Sequence, residues 1–125
     1  MSTYGNFLAH LRAATALADK AGQEISSLYS NSGSSENRSK VTAEARGEAA
    51  EWVASVKVVA TDTGLRVTSG VFELTGAKST ATKIGLDRFW RDIRTHTLHD
   101  PVSYKNRELG RYQLLGELPD PTWYT

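Results

Sequence analysis

Several features that mark particular classes of protein are absent from this sequence. Its 125 residues contain no cysteine, which excludes disulfide bonds and thiolate metal sites and is typical of a reducing compartment. No run of about 18 apolar residues is available to span a membrane, and residues 1–6 lack the basic start of a secretory signal. The 15 Lys and Arg nearly balance the 14 Asp and Glu, so no strong field attracts nucleic acid or an anionic membrane. We therefore expect a soluble cytoplasmic domain that binds neither of them.

The familiar short motifs of catalysis and nucleotide binding are absent as well. Neither GxSxG, HExxH, CxxC nor GxGxxG occurs, and no segment has the spacing of a P-loop. Any active site must therefore be sought in less specific clusters of reactive side chains, and the predicted helices decide which of these side chains share a face.

Apolar residues recur at helical spacing over the first part of the chain. In a first segment, about residues 4–30, seven positions follow steps of four and three on one helical stripe: Phe7, Leu11, Ala14, Ala18, Ala21, Ile25 and Leu28. A loop is expected at 31–35, which reads NSGSS. A second helix is predicted over about 35–75, where apolar residues repeat every seven positions. Its valine-rich stretches 56–60 and 65–72 would also suit strands, but they do not alternate as a strand requires.

Boundary residues and glycines refine the second helix. Its start has three candidate capping residues: Ser35, Glu36 and Asn37. Gly76 is placed to end the helix in a left-handed conformation. Gly64 and Gly70 weaken an isolated helix, and we interpret them as marking either a kink or a close crossing with a neighbour.

The rest of the chain predicts shorter elements. They are a polar connection at 77–85, a helix at about 86–99 and a last helix at about 101–115. Asp100 is the expected cap of the last helix and Gly116 its stop, while prolines keep residues 117–125 extended. The fold class is therefore all-α, an up-down helical bundle over residues 1–116 followed by an extended tail.

The densest group of reactive side chains is RDIRTHTLHDP, residues 91–101. His96 and His99 share one face of the predicted helix, and Arg91 and Arg94 extend that face. A metal site is disfavoured because a third ligand with suitable geometry is lacking. Two interpretations remain open: a structural role at the end of a helix, or an active-site face with histidine as acid or base and Arg94 beside an anionic cofactor.

A second candidate is TGAKST, residues 75–80. Its backbone N–H groups, the Lys78 ammonium and the hydroxyls of Ser79 and Thr80 could hold a phosphate. An ordinary polar loop has the same composition, so the residues alone do not decide between the two.

The run GLDRFWRDIRTHTLHDPVSYKNRELG, residues 85–110, closely resembles the carboxy-terminal region of the dibenzothiophene monooxygenase family. These are flavin-dependent monooxygenases built on the acyl-CoA dehydrogenase fold. Arg91-Asp92 and Gly76 fit the more general superfamily pattern of an aromatic-rich helix that follows a glycine-containing turn.

The resemblance implies both a fold and a chemistry. In the family, reduced FMN from a separate flavin reductase forms a hydroperoxyflavin, which oxygenates organosulfur or aromatic compounds in a tetrameric enzyme. His96 and His99 match the histidines beside the flavin ring, and Lys78, Ser79 and Thr80 match the turn near the flavin phosphate. The amino-terminal helical domain, the middle β-domain and the first helix of the bundle have no counterpart in these residues, so the chain is expected to be inactive alone and to associate through an exposed apolar stripe.

Two alternatives remain. The glutamate base of the acyl-CoA dehydrogenases falls on Asp100, which we interpret as structural, so an FAD-dependent dehydrogenase fragment is disfavoured. The other alternative is a helical oligomerisation module without catalysis.

Overall fold

The structure, a computed structural model, describes residues 1–30 and 41–122. Within these ranges the secondary structure is entirely helical and contains no strand. Its α-helices are α1 (Ser2–Ser30), α2 (Ala43–Thr75), α3 (Asp87–Leu98) and α4 (Val102–Leu115), and a 3-10 turn covers Ala77–Thr80. The prediction of an all-α fold is confirmed, and both valine-rich stretches lie inside α2.

Helix α2 is the element against which the other helices pack. Helix α1 runs antiparallel to it, because Phe7 lies against Gly70 whereas Lys20 lies over the ring of Trp52. A Cβ atom at Gly70 would stand 2.6 Å from Cζ of Phe7, and one at Gly64 would stand 2.7 Å from Cγ1 of Ile93. Both glycines therefore mark close crossings of α2 with its neighbours, as predicted.

The predicted start of α2 was wrong. Ser35, Glu36 and Asn37 lie outside the described residues, but Val41 and Thr42 are not helical and the helix begins at Ala43. Thr42 is the N-cap, and its Oγ1 accepts a hydrogen bond from the N–H of Ala45 at 3.1 Å. The loop expected at 31–35 also lies outside the described residues.

Two details at the other helix ends also differ from the prediction. Gly76 does end α2 at a positive φ of 78°, but its ψ of 173° is extended and not left-handed helical. Asp100 does not cap α4: no side chain makes a capping hydrogen bond there, and Asp100 itself adopts a φ of 58°. Its carboxylate instead lies 3.7 Å from Nζ of Lys105. Gly116 ends α4 in the left-handed conformation, as expected.

The interior formed by the described residues is small. Among them, the buried apolar side chains are those of Ala21, Ala49 and Ala54, whereas large ones such as Leu114 and Leu98 are exposed. Part of the tail covers α2, since Leu118 lies against Gly47 and Arg46 donates a hydrogen bond to the carbonyl of Pro119 at 3.1 Å. None of the helices in residues 1–30 and 41–122 has the length and apolar character needed to cross a membrane.

Candidate functional site

A cavity of about 620 Å³ opens between α1, α2 and the junction of α3 with α4. Its apolar wall comes from α1 and α2 and includes Ile25, Leu28 and Val53. Its polar wall consists of these side chains: Arg46, Lys57, His96, His99, Asp100, Lys105 and Glu108. A volume of this size, with one apolar face and a few converging polar groups, is typical of a small-molecule site.

Both histidines singled out in the sequence lie at this cavity. His96 is in the last turn of α3, and His99 is the residue at which that helix ends. Both side chains are exposed and line the cavity. The structure therefore brings the predicted pair together on the polar wall.

Lys57 of α2 holds the turn that carries the two histidines. Its Nζ donates hydrogen bonds to the carbonyl of His96 at 2.6 Å and to the carbonyl of His99 at 3.0 Å, and it lies 3.5 Å from Nε2 of His96. An ammonium at the C-terminus of a helix is attracted by the partial negative charge of the unpaired carbonyls. The sequence signal was a single charged residue inside the run VKVV, and its partners on α3 could not be inferred from it.

Lys105 of the polar wall and Glu51 of α2 are buried charged side chains that the sequence reasoning missed. Lys105 is 7% exposed, and its Nζ lies 3.2 Å from Glu108 and 3.7 Å from Asp100. Glu51 of α2 is 5% exposed. Burial, together with the negative charges of Glu108 and Glu48, raises the pKa of Glu51 to about 7, and the positive charge of Lys105 opposes this rise.

Arg94 lies on the same helix as His96 but faces another pocket. Its Nη1 donates to Oγ1 of Thr97 at 2.8 Å, and both residues line a separate pocket of about 420 Å³ together with Asp62 and Asn106. Arg94 is thus not among the residues that line the histidine cavity.

The turn with Lys78, Ser79 and Thr80 lies at the far end of α2. The hydroxyl of Ser79 is buried and donates to the carbonyl of Gly76 at 2.6 Å, and that of Thr80 donates to Ala77 at 2.7 Å. The side chain of Lys78 is exposed. At 1.5 Å per helical residue, this turn is about 27 Å along α2 from Lys57.

Known proteins resemble this chain over nearly its whole length. Residues 2–104 match the family described as acyl-CoA dehydrogenase, C-terminal domain. A dibenzothiophene monooxygenase of Mycolicibacterium goodii is 44% identical over 119 residues, which are 95% of this chain and 27% of the relative.

Two solved structures have the same fold. Methanesulfinate monooxygenase MsuC from Pseudomonas fluorescens superposes with a TM-score of 0.89 at 39% identity, and FMN-bound TdsC from Paenibacillus sp. A11-2 with 0.87 at 41%. Each match covers 99% of this chain and 30% of the other. The chain therefore spans less than a third of the length of these relatives.

The resemblance stated from residues 85–110 is thereby confirmed. The family match covers α1, α2 and α3, and the cavity with its two histidines lies almost wholly within it. This chain belongs to the acyl-CoA dehydrogenase C-terminal domain family.

Proposed function

We propose that this chain is the C-terminal helical part of a reduced-flavin-dependent monooxygenase that acts on organosulfur or aromatic compounds. The observation that carries the proposal is the cavity at which His96 and His99 meet on one polar wall. Support comes from the relatives, whose names refer to the oxygenation of dibenzothiophene and of methanesulfinate.

The cavity fits the ring system of reduced FMN. A flavin ring has two apolar faces and an edge of carbonyl and N–H groups, which matches an apolar wall at Ile25, Leu28 and Val53 facing a polar wall with His96 and His99. When bound, reduced flavin would supply the activation of dioxygen, through the hydroperoxyflavin chemistry that the resemblance implies. FMN is favoured over FAD because TdsC, at 41% identity, has been solved with FMN.

The protein itself contributes two imidazole rings, those of His96 and His99, on a backbone turn whose position is fixed. Lys57 fixes the carbonyls of His96 and His99, so their rings are carried by an anchored turn and still reach the cavity. Imidazole changes its charge near neutral pH and can donate or accept a proton there. We assign two roles to the rings of His96 and His99. They bind the polar edge of the flavin or the oxygen beside it, and they transfer a proton to that group.

Lys78, Ser79, Thr80 and Arg94 remain proposed flavin contacts, but not for the same flavin in the same protomer. The turn with Lys78 is about 27 Å from Lys57 along α2, and an FMN molecule is shorter than that. We therefore propose that these residues serve the flavin of a neighbouring protomer. Ser79 and Thr80 would contribute by holding the shape of the turn that carries Lys78, because their hydroxyls already donate to the carbonyls of Gly76 and Ala77 and the N–H of Ser79 also donates to Gly76.

Such sharing requires association of several copies, and a tetramer is the proposed assembly. The exposed apolar side chains support it, since Leu98, Leu114 and Leu115 are at least 60% exposed. A flavin reductase is the proposed second partner, because a monooxygenase of this type needs flavin that has already been reduced.

The test is anaerobic titration with reduced FMN, followed by an oxygenation assay with dibenzothiophene. The chain is measured alone and then together with the remaining part of the Mycolicibacterium goodii relative, supplied in trans. We expect binding and oxygenation only in the combined sample. Absence of both, from associated and folded chains, would favour the non-catalytic oligomerisation module. Oxidation of an acyl-CoA that requires FAD and Asp100 would favour the dehydrogenase.

Histidine variants test the assigned residues in the same assay. His99→Ala should lower oxygenation about 100-fold or more, the range typical for loss of an acid–base group, while helix content is retained. His10→Ala is the matched control, because His10 lies on α1 and contacts Asn6 and Arg66 away from the cavity. Equal turnover in His99→Ala and the parent would remove His99 from the mechanism.

A further inference from the structure

The ammonium of Lys57 makes three contacts at the turn that ends α3. Its Nζ donates to the carbonyl of His96 at 2.6 Å and to the carbonyl of His99 at 3.0 Å, and it lies 3.5 Å from Nε2 of His96. A lysine ammonium has three N–H donors and no lone pair. The two carbonyls take two of these donors, so the third is left for the imidazole ring of His96.

The contact with Lys57 decides which ring nitrogen of His96 carries a proton. A neutral imidazole has one nitrogen that donates and one that accepts, and the partner of one nitrogen sets the state of the other. A proton on Nε2 would direct an N–H bond at the N–H bonds of the ammonium, with no acceptor between them. Nε2 therefore turns its lone pair to Lys57, and the ring proton of His96 lies on Nδ1.

His10 of α1 has the same arrangement of contacts. Its Nδ1 lies 2.9 Å from the carbonyl oxygen of Asn6, and its Nε2 lies 3.3 Å from Nη1 of Arg66. A carbonyl only accepts and a guanidinium only donates, so both contacts place the ring proton on Nδ1. The two histidines differ in one respect. Nδ1 of His96 has no such carbonyl in the part of the chain that the structure describes, and His96 lines the cavity.

The ring of His99 is in a different situation. Its side chain is exposed and lines the cavity, and within residues 1–30 and 41–122 its ring nitrogens have no hydrogen-bond partner. Lys57 contacts His99 at the backbone carbonyl and not at the ring. No neighbour therefore fixes the proton on either nitrogen, and the ring is free to gain and lose one, as an acid–base group must.

We infer that Lys57 holds His96 in the Nδ1–H tautomer, so that His96 is a fixed hydrogen-bond donor to the cavity and His99 is the ring that exchanges protons. The two roles assigned to the pair are thereby divided. His96 donates from Nδ1–H to an acceptor oxygen of the bound molecule, and Lys57 is a positioning residue that acts through His96.

The proton transfer at His99 is balanced without any electron transfer. When the protonated ring gives its proton to an oxygen in the cavity, an N–H bond breaks, an O–H bond forms and the ring becomes neutral. Solvent then returns a proton to the exposed ring. The use of the two rings in oxygenation rests on the proposed function, whereas the tautomer of His96 does not.

The tautomer is tested by ¹⁵N NMR of the ring nitrogens in the 125-residue protein without flavin, at about pH 8.5, where ordinary imidazoles are neutral. The chain has three histidines, so three pairs of ring signals are expected. Nitrogens with and without a proton differ widely in ¹⁵N chemical shift. We expect the proton on Nδ1 in His96 and His10, and mainly on Nε2 in His99, as in a free side chain. A proton on Nε2 of His96 in the folded parent would overturn the inference.

Substitution of Lys57 tests its part in this choice. In Lys57→Met the ring of His96 should take the pattern of His99, whereas Lys57→Arg keeps a cation that only donates and should keep the proton on Nδ1. Lys83→Met, at an exposed position, should leave all three rings unchanged. The His10 signals report whether a variant is folded, and Lys57→Gln replaces Lys57→Met if the latter is not. A proton that stays on Nδ1 of His96 without Lys57 would show that Lys57 does not set the tautomer.

The division of roles is tested by oxygenation in the combined sample described above. Asparagine keeps an N–H donor close to the place of Nδ1 but cannot exchange a proton at neutral pH, so His96→Asn should lower the rate by less than about tenfold. His99→Asn should lower it about 100-fold or more. Equal losses in the two variants would overturn the division. An inactive parent would count against the proposed function, while the ¹⁵N spectrum still decides the tautomer.

Discussion

The burial of Glu51 makes stability depend on pH in a way that one substitution should remove. Its pKa rises from 4.5 to about 7 on folding, so the folded state holds a proton that the unfolded state releases. Below pH 4.5 both states are protonated and the group costs nothing. Between pH 4.5 and about 7 the folded state loses stability, and above that range the cost is constant. At about 1.4 kcal/mol for each tenfold change, the full cost is about 3 kcal/mol.

Glu51→Gln removes the titration and keeps the shape of the side chain. Its buried amide also lacks obvious partners, so the absolute stability at one pH is a poor readout. The difference in free energy of unfolding between variant and parent is the better one, because titrations common to both cancel. We expect this difference to rise in favour of the variant by about 3 kcal/mol from pH 4.5 to pH 8. Urea denaturation at four or five pH values measures it.

The matched control is Glu73→Gln on the exposed side of α2. Its difference from the parent should stay nearly constant over the same range, because an exposed carboxyl is solvated in both states. A flat difference for Glu51→Gln as well would refute the reasoning, since it would show that the carboxyl of Glu51 is ionised in the folded protein at no cost.

Three further substitutions test the packing, the capping and the histidine turn. Gly64→Ala places a methyl group 2.7 Å from Ile93 and should destabilise the folded protein by about 1–2 kcal/mol, despite the better helix propensity of alanine. The control is Gly22→Ala, whose methyl group would have nothing within 4 Å and which should stabilise the protein by about 1 kcal/mol. Equal effects of the two substitutions in thermal denaturation would contradict the close crossing. Thr42→Ala should cost about 1 kcal/mol in urea denaturation through loss of the N-cap of α2, and no loss would place the cap elsewhere. Lys57→Met should lower the free energy of unfolding by about 1–2 kcal/mol and speed amide hydrogen exchange in the turn after α3. Lys83→Met, at an exposed position, is the control. Unchanged exchange in Lys57→Met would show that the turn does not depend on Lys57.

The helices could be predicted from the sequence because their apolar spacing is a local property. The stripe on α1 and the seven-residue repeat of α2 require only that one face of each helix be covered. The pair His96 and His99 was found for the same reason, since residues three apart on a helix share a face. Such arguments involve one helix at a time and need no knowledge of its neighbours.

The errors and omissions came from interactions between elements. Asp100 before a proline is a common helix cap, but here it has a φ of 58°, and its carboxylate lies beside the ammonium of Lys105 and makes no capping hydrogen bond. Glu51 and Lys105 are residues of types that usually lie at the surface, and their burial follows from the packing of α4 on α2. Thr42 cannot be distinguished as the N-cap from the sequence, because Ser35 and Asn37 are residues of the same capping type a few positions earlier.

The polar wall of the cavity is held by two lysines, Lys57 and Lys105, which have different partners. Lys57 binds carbonyl oxygens, so it anchors the turn of His96 and His99 without neutralising an acid. Lys105 is buried between Asp100 and Glu108, so it holds the start of α4 against that turn. Two contacts therefore fix the position of His99. Its own carbonyl accepts a hydrogen bond from Lys57, and the carboxylate of the next residue, Asp100, lies beside Lys105. Lys105 also opposes the rise in the pKa of Glu51, so this buried acid is linked electrostatically to the site although it does not line the cavity.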